Sequence, residues 1–179
     1  MKTTLCLAIL LATTAAHALS DSEKETLMTA EQAYKHQDYA TALEKWQTLA
    51  EVGNAEAQYS LGFLYLEGQG VPQDYGKACA WFEKAAAQGH AQAQYNLGVL
   101  YENGQGITRD YDKARAWYEK AAAQNDARAL FNLGALYYNG EGVPKDINKA
   151  RVWFEKAATQ TDDKEIQQAA QQALQKIPQ

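Results

Sequence analysis

Residues 91–126 read AQAQYNLGVLYENGQGITRDYDKARAWYEKAAAQND. Nearly the same string lies 36 residues to either side, as AEAQYSLGFLYLEGQGVPQDYGKACAWFEKAAAQGH at 55–90 and ARALFNLGALYYNGEGVPKDINKARVWFEKAATQTD at 127–162. Self-similarity at a fixed period of this size marks a chain built from copies of one supersecondary unit. Within each copy apolar residues fall at helical spacing, stop at EGQGVPQD, NGQGITRD or NGEGVPKD, and resume. Gly68, Gly104 and Gly140 stand where a helix must end in a left-handed residue, which glycine adopts without a Cβ penalty. Asp74, Asp110 and Asp146 follow just before the second helical run, where a carboxylate caps free N–H groups and complements the helix dipole. Each unit is therefore read as helix, turn, helix. The G-x-G of the turn lacks the third glycine and preceding strand of a dinucleotide fingerprint.

A lone hairpin cannot bury both of its apolar faces, so the copies must stack. Trp81, Trp117 and Trp153, with Phe82, Tyr118 and Phe154 beside them, recur at one phase and are expected in the core. Each large side chain buried contributes about 1.5–3 kcal/mol. Asn54, His90, Asp126 and Asp162 precede the first helices and the final segment. All but His90 are good N-cap residues, and His90 is open to reading as a ligand or base. Cys79 stands where the other copies carry Arg115 and Arg151, which predicts partial exposure.

The flanks extend the stack. Residues 19–54 read as a related hairpin without the glycine turn: Ser22 and Glu25 have capping-box spacing, Asp38-Tyr39 matches Asp74-Tyr75, and Trp46 aligns with Phe82. Residues 163–179 read as a capping helix, with Ile166, Ala169, Ala170, Ala173, Leu174 and Ile177 on one face. Residues 1–18 have the anatomy of a secretory signal: Lys2, the apolar run Leu5–Leu11, and a small-residue site at Ala16-His17-Ala18. Cleavage near Ala18 predicts a periplasmic or secreted protein whose single remaining thiol, Cys79, forms no internal disulfide. It also leaves 16 basic and 22 acidic residues, a net charge of −6. That balance offers no basic patch for nucleic acid and no attraction to anionic lipid.

The string A-x-A-x-Y-x-L-G-x-x-Y-x-x-G-x-G-V-x-x-D-x-x-K-A-x-x-W-F-x-K-A-A resembles the Sel1-like repeat, a relative of the tetratricopeptide repeat. It runs from Ala55 to Ala86 and recurs twice, with Ile107-Thr108 for Val-Pro, Phe131 for Tyr and Ile147-Asn148 for Tyr-Gly. The resemblance implies an all-α, right-handed α-solenoid: three repeats (55–90, 91–126, 127–162), a tetratricopeptide-like hairpin at 19–54 and the cap at 163–179. It further implies an adaptor or scaffold that holds another protein or peptide, without a cofactor. Some relatives are immunity proteins that silence secreted toxins, an alternative that fits a small exported chain. One cysteine-rich branch carries a β-lactamase or penicillin-binding attribution. That branch staples each repeat with a cysteine pair that this sequence lacks, so the activity is not carried over.

Differences between the copies mark a candidate surface. Ala57, Leu61, Gly62, Leu64 and Tyr65 keep their type in all three, whereas Glu56, Ser60, Phe63 and Glu67 become Gln92, Asn96, Val99 and Asn103, then Arg128, Asn132, Ala135 and Asn139. Offsets of 4, 7 and 11 residues put the variable set in one stripe. In the resembling architecture the first helices line the concave side, and Tyr138 lies beside the stripe. Amides among the apolar side chains Phe63, Val99 and Tyr138 suit an extended peptide backbone, with Phe63 and Tyr138 expected to be exposed anchors. A cell-wall or β-lactam hydrolase is the competing class. It requires a nucleophile with a base, or a metal with several ligands. The chain carries no H-E-x-x-H, S-x-x-K or G-x-S-x-G string. End-to-end oligomerisation is a third class, opposed by the polar side of the last helix; a monomer is expected.

Overall fold

The computed structural model describes residues 19–161 and 163–177; the expected signal segment lies outside them. The described residues form α1 (Asp21–Lys35), α2 (Tyr39–Glu51), α3 (Ala55–Glu67), α4 (Tyr75–Ala87), α5 (Ala91–Asn103), α6 (Tyr111–Ala122), α7 (Ala127–Asn139), α8 (Ile147–Ala158) and α9 (Lys164–Lys176). Each helix packs on the next in the chain, and α7 also reaches α9. Contact restricted to neighbours is the pattern of an α-solenoid.

The turns are built as the glycines require. Gly68, Gly104 and Gly140 end α3, α5 and α7 with φ of 68°, 67° and 80°. The chain then closes back through the Asp74, Asp110 and Asp146 N–H groups, which donate to the Tyr65, Tyr101 and Tyr137 carbonyls at 2.9 Å. Those aspartates cap α4, α6 and α8 by accepting from the Lys77, Lys113 and Lys149 N–H groups at 2.9, 3.0 and 2.9 Å.

Inside each repeat a glycine on the first helix meets the aromatic residue of the second. A Cβ on Gly62, Gly98 or Gly134 would lie 2.6, 2.4 and 2.6 Å from the rings of Phe82, Tyr118 and Phe154. All three rings are buried. A second link joins repeat to repeat. The amide of Gln88 donates to the Gly53 carbonyl and to Gln58 Oε1, both at 2.8 Å, while buried Gln58 donates to the Ala50 carbonyl at 3.1 Å. Gln124 and Gln94 repeat this one unit later, against Gly89 and Ala86. In the third copy Leu130 takes the glutamine's place, and Gln160 turns to its own helix, donating to the Lys156 carbonyl.

Several expectations need correction. Trp81, Trp117 and Trp153 are half-buried: each packs one side on the core and carries Lys84, Lys120 or Lys156 over its ring at 3.7, 3.7 and 4.4 Å. The buried role belongs to Phe82, Tyr118, Phe154 and Trp46. The first helix is capped by Ser20 with Glu23, two residues before the expected pair. Asp163 caps α9, one residue past the repeat phase. Cys79 is buried at 6% exposure, and burial, reinforced by the adjacent Glu83 carboxylate, pushes its thiol up to about 11.

Three outcomes are expected in urea unfolding and thiol labelling. Gly98→Ala is expected to lose up to about 2 kcal/mol, an overpacking cost of roughly 1–3 offset by the ~1 that alanine gains over glycine in a helix. Gly76→Ala, where the added methyl meets only Asp74 Oδ1 at 3.4 Å, is expected to hold or raise stability. The native Cys79 thiol should react with a disulfide reagent at pH 8 about a hundredfold more slowly than in the unfolded chain, following the rise from 9.0 to about 11. Rapid native labelling contradicts the burial.

Candidate functional site

The first helices α1, α3, α5 and α7 present the face on which the repeats differ. The residues that keep their type turn inward: Ala57, Ala93 and Ala129 are fully buried, as are Leu61, Leu97 and Leu133. Of the variable stripe, Glu56, Glu67, Gln92, Asn103 and Asn139 are exposed. Ser60, Phe63, Asn96, Val99, Arg128, Asn132 and Ala135 are half-buried, as is Tyr138 beside them. Phe63 and Tyr138 are thus walls of depressions, and the free anchors expected from the sequence are absent at both positions.

A connected polar row crosses the amino-terminal edge of this face. The His90 ring stacks on Tyr59 at 4.6 Å, its Nε2 lies 3.1 Å from Glu56 Oε2, and its Nδ1 accepts the Ala93 N–H at 3.3 Å. His90 is therefore the N-cap of α5, doing with an imidazole what Asn54 and Asp126 do with oxygen, and this corrects its reading as the exception among the caps. An Nδ1 that accepts leaves the proton on Nε2, from which the ring donates to Glu56. The hydrogen bond from His90 holds the Glu56 carboxyl below its ordinary range. One repeat on, Arg128 lies over the Tyr95 ring at 4.3 Å and pairs with Asp126 at 2.8 Å. The Asn96 and Asn132 amides reach the Tyr59 and Tyr95 hydroxyls, so part of their hydrogen-bonding capacity is already used.

The carboxyl-terminal edge is different. The Tyr118 hydroxyl donates to Glu102, which is half-buried beside Glu141. Burial raises the Glu102 carboxyl above its ordinary value; Glu141 adds to the rise and the Tyr118 hydroxyl opposes it. Glu67, Glu102 and Glu141 make no ion pair among the described residues.

Two depressions close the ends of the face. Tyr34, Trp46, Tyr59, Ser60 and Phe63 enclose about 330 Å³ between α1, α2 and α3. Phe131, Tyr138, Phe154, Ala173 and Lys176 bound about 260 Å³ between α7, α8 and α9. Sequence comparison singled out Ser60, Phe63 and Tyr138 but not Tyr34, Trp46 or Tyr59. The first two belong to the hairpin that lacks the repeat, and Tyr59 has aromatic counterparts in every copy, so contrast between copies hides it. Among the described residues no group of three or more His, Cys, Asp or Glu is arranged to hold a metal ion, and no helix is long and apolar enough to cross a membrane.

Stacked helical hairpins with a constant interior and a variable first-helix face define a repeat solenoid of the interaction-module class. The Sel1 repeat model matches residues 55–90, 91–126 and 127–162, and the chain belongs to that family. Over 78% of its length it is similar to a protective antigen present in uropathogenic Escherichia coli strains, whose crystal structure displays the same fold, at 37% identity and a TM-score of 0.76, covering 31% of that chain. A Sel1 repeat protein from Oxalobacter formigenes is 36% identical over 83% of this chain and 59% of its own, at a TM-score of 0.75. The chain thus spans under a third of the first protein and about three-fifths of the second. Helicobacter pylori cysteine-rich protein B shares the fold, at 21% identity and a TM-score of 0.52 over 87% of this chain and 99% of its own. Among curated proteins none matches.

The raised Glu102 carboxyl gives a pH test. A carboxyl whose folded pKa is raised favours the folded state when protonated, and that contribution is lost as pH rises through the folded pKa. Glu102→Gln should therefore be more stable than wild type at pH 7, by less than about 1 kcal/mol because the group is half in water. The advantage should vanish as pH falls below the ordinary glutamate range. An unchanged difference from pH 7 to pH 3.5 contradicts the assignment.

Proposed function

We propose that this protein is an exported, monomeric interaction module that holds a segment of a partner protein along the first-helix face. Sel1 repeats are generally non-catalytic and mediate protein interactions, which supports the class of function. The observation that carries the choice of face is the pairing of two aromatic depressions with the exposed stripe between them. The first helices keep the buried alanines and leucines in every copy and vary what they present there. Binding would proceed by shape and hydrogen bonding: Gln92, Asn103 and Asn139 offer amides that both donate and accept, and half-buried aromatic side chains at each end provide contact area with little rotamer entropy to lose. The Lys2, Leu5–Leu11 and Ala16-His17-Ala18 pattern supports export, and the mature protein should begin near Leu19 when its amino terminus is sequenced from cell envelopes.

A photo-crosslinking side chain at Asn103 on α5, compared with one at Val152 on α8, tests the face. Val152 is also accessible, at 48% exposure, but belongs to a second helix. In envelope extract the Asn103 derivative should give discrete adducts and the Val152 derivative none. Adducts from Val152 alone would move the binding surface to the second helices.

A further inference from the structure

The depression between α1, α2 and α3 differs from its counterpart at the other end in one respect that bears on what it takes. Its walls are Tyr34 and Trp46 on one side, with ring centroids 5.5 Å apart, and Tyr59 and Phe63, 6.4 Å apart, on the other. Ser60 supplies the one hydroxyl outside the aromatic rings. Trp46 is 4% exposed, and its indole N–H has no hydrogen-bond partner among the described residues. The equivalents of Phe63 are Val99 and Ala135, so the chain places its largest apolar side chain of this row at this site alone. About 330 Å³ accommodates one large side chain of a partner.

Charge fixes the rest of the occupant. Glu67 lies one turn beyond Phe63, within electrostatic reach of the Tyr34 hydroxyl, and pairs with no cation among the described residues. Lys35, next to Tyr34 at the end of α1, makes no ion pair with Glu67. Farther along the same edge come Glu102 and Glu141, again without a cation. Glu102 is held partly out of water against a second carboxylate. A carboxylate without an ion-pair partner near an apolar depression, continued by two more along the same edge, is complementary to a basic side chain. By contrast, the cavity at the far end is bounded by Lys176, with Lys145 over the Tyr138 ring.

We propose that the Tyr34–Trp46–Tyr59–Phe63 pocket takes a large apolar side chain of a partner segment, and that Glu67, followed by Glu102 and Glu141, receives a lysine or arginine next to it in that segment. This rests on the first-helix face being the binding surface. The partner class is a basic-apolar peptide segment, extended along the face from α3 towards α7.

The test is selection of displayed random peptides on the intact protein, with affinities of the selected peptides measured for variants. Enriched peptides should pair an aromatic or large aliphatic residue with lysine or arginine. Phe63→Ala, and separately Ser60→Leu, which fills the cavity without removing a wall, should each weaken the best peptide roughly tenfold or more. Glu67→Gln should weaken it severalfold at low salt and little at high salt. Circular dichroism melts confirm that each variant is folded; the Ser60→Leu variant decides the matter if Phe63→Ala is not. Selection of acidic or purely polar peptides, or no enrichment at all, overturns the proposal. Peptides that ignore Phe63→Ala and Ser60→Leu but are lost with Asn103→Arg overturn the pocket while leaving the face intact. Peptides that ignore all three variants overturn both.

Discussion

Everything in this solenoid depends on how closely the two helices of a repeat approach. With Gly62, Gly98 and Gly134 opposite Phe82, Tyr118 and Phe154, the ring occupies the volume that any Cβ would need. The contact sets the height of one helix over the other. It also explains why glycine is tolerated in mid-helix, where it is less favourable than alanine by about 1 kcal/mol. The turn glycines Gly106 and Gly142 apply the same limit between repeats, since a Cβ there would lie 2.5 and 2.3 Å from Tyr75 and Tyr111. The spacing of the hairpins is thus fixed by absent methyl groups. Such a constraint is steep, because overlap rises within tenths of an ångström, and it makes the stack a regular platform.

The glutamine links act differently, and their interruption is informative. A buried amide that donates to one carbonyl and accepts from a second amide is satisfied only if its partner is in register. Gln58 with Gln88, and Gln94 with Gln124, therefore enforce register at two junctions. At the third, Leu130 replaces the amide by apolar contact, and on α9 Gln167 restores the bond to the preceding helix through the Ala158 carbonyl. Replacing both ends of a buried hydrogen bond costs little, whereas removing one end leaves a desolvated group. Here only one end is replaced, and Gln160 avoids that penalty by donating to the Lys156 carbonyl instead.

The period, the glycine turns and the aspartate caps were legible because each follows from local backbone chemistry that recurs in phase. What was not legible depended on which atom does the work. His90 looked like a poor cap because its type is wrong, yet an imidazole Nδ1 is an acceptor at the distance a cap needs. The recurring tryptophans looked like core because recurrence signals packing; recurrence is equally served by a ring half-covered by a lysine four residues away or fewer. Cys79 looked exposed by analogy with Arg115 and Arg151, both half-buried, because an arginine reaches out of a site that a short thiol cannot leave. On the first-helix face, contrast between copies found the accessible stripe. It could not find Tyr34, on a helix outside the three copies, or Trp46, whose alignment with Phe82 marks it as core.

The division between a repeating interior and a non-repeating face has an energetic consequence. Substitution on the stripe leaves the glycine–aromatic contacts and the amide links untouched, so the face can carry groups that are unfavourable to folding. Glu102 is such a group: a carboxylate pushed partly out of water, beside Glu141, where the neighbouring copies carry Leu66 and Tyr138. At the matching positions one repeat earlier stand Leu66 and Phe82, a pair without charge. A neutral solution was thus available to the fold, and the charged one adds nothing to its stability. A charge held at a cost to folding, on a surface whose other residues are free to vary, is in keeping with the binding role proposed for that face.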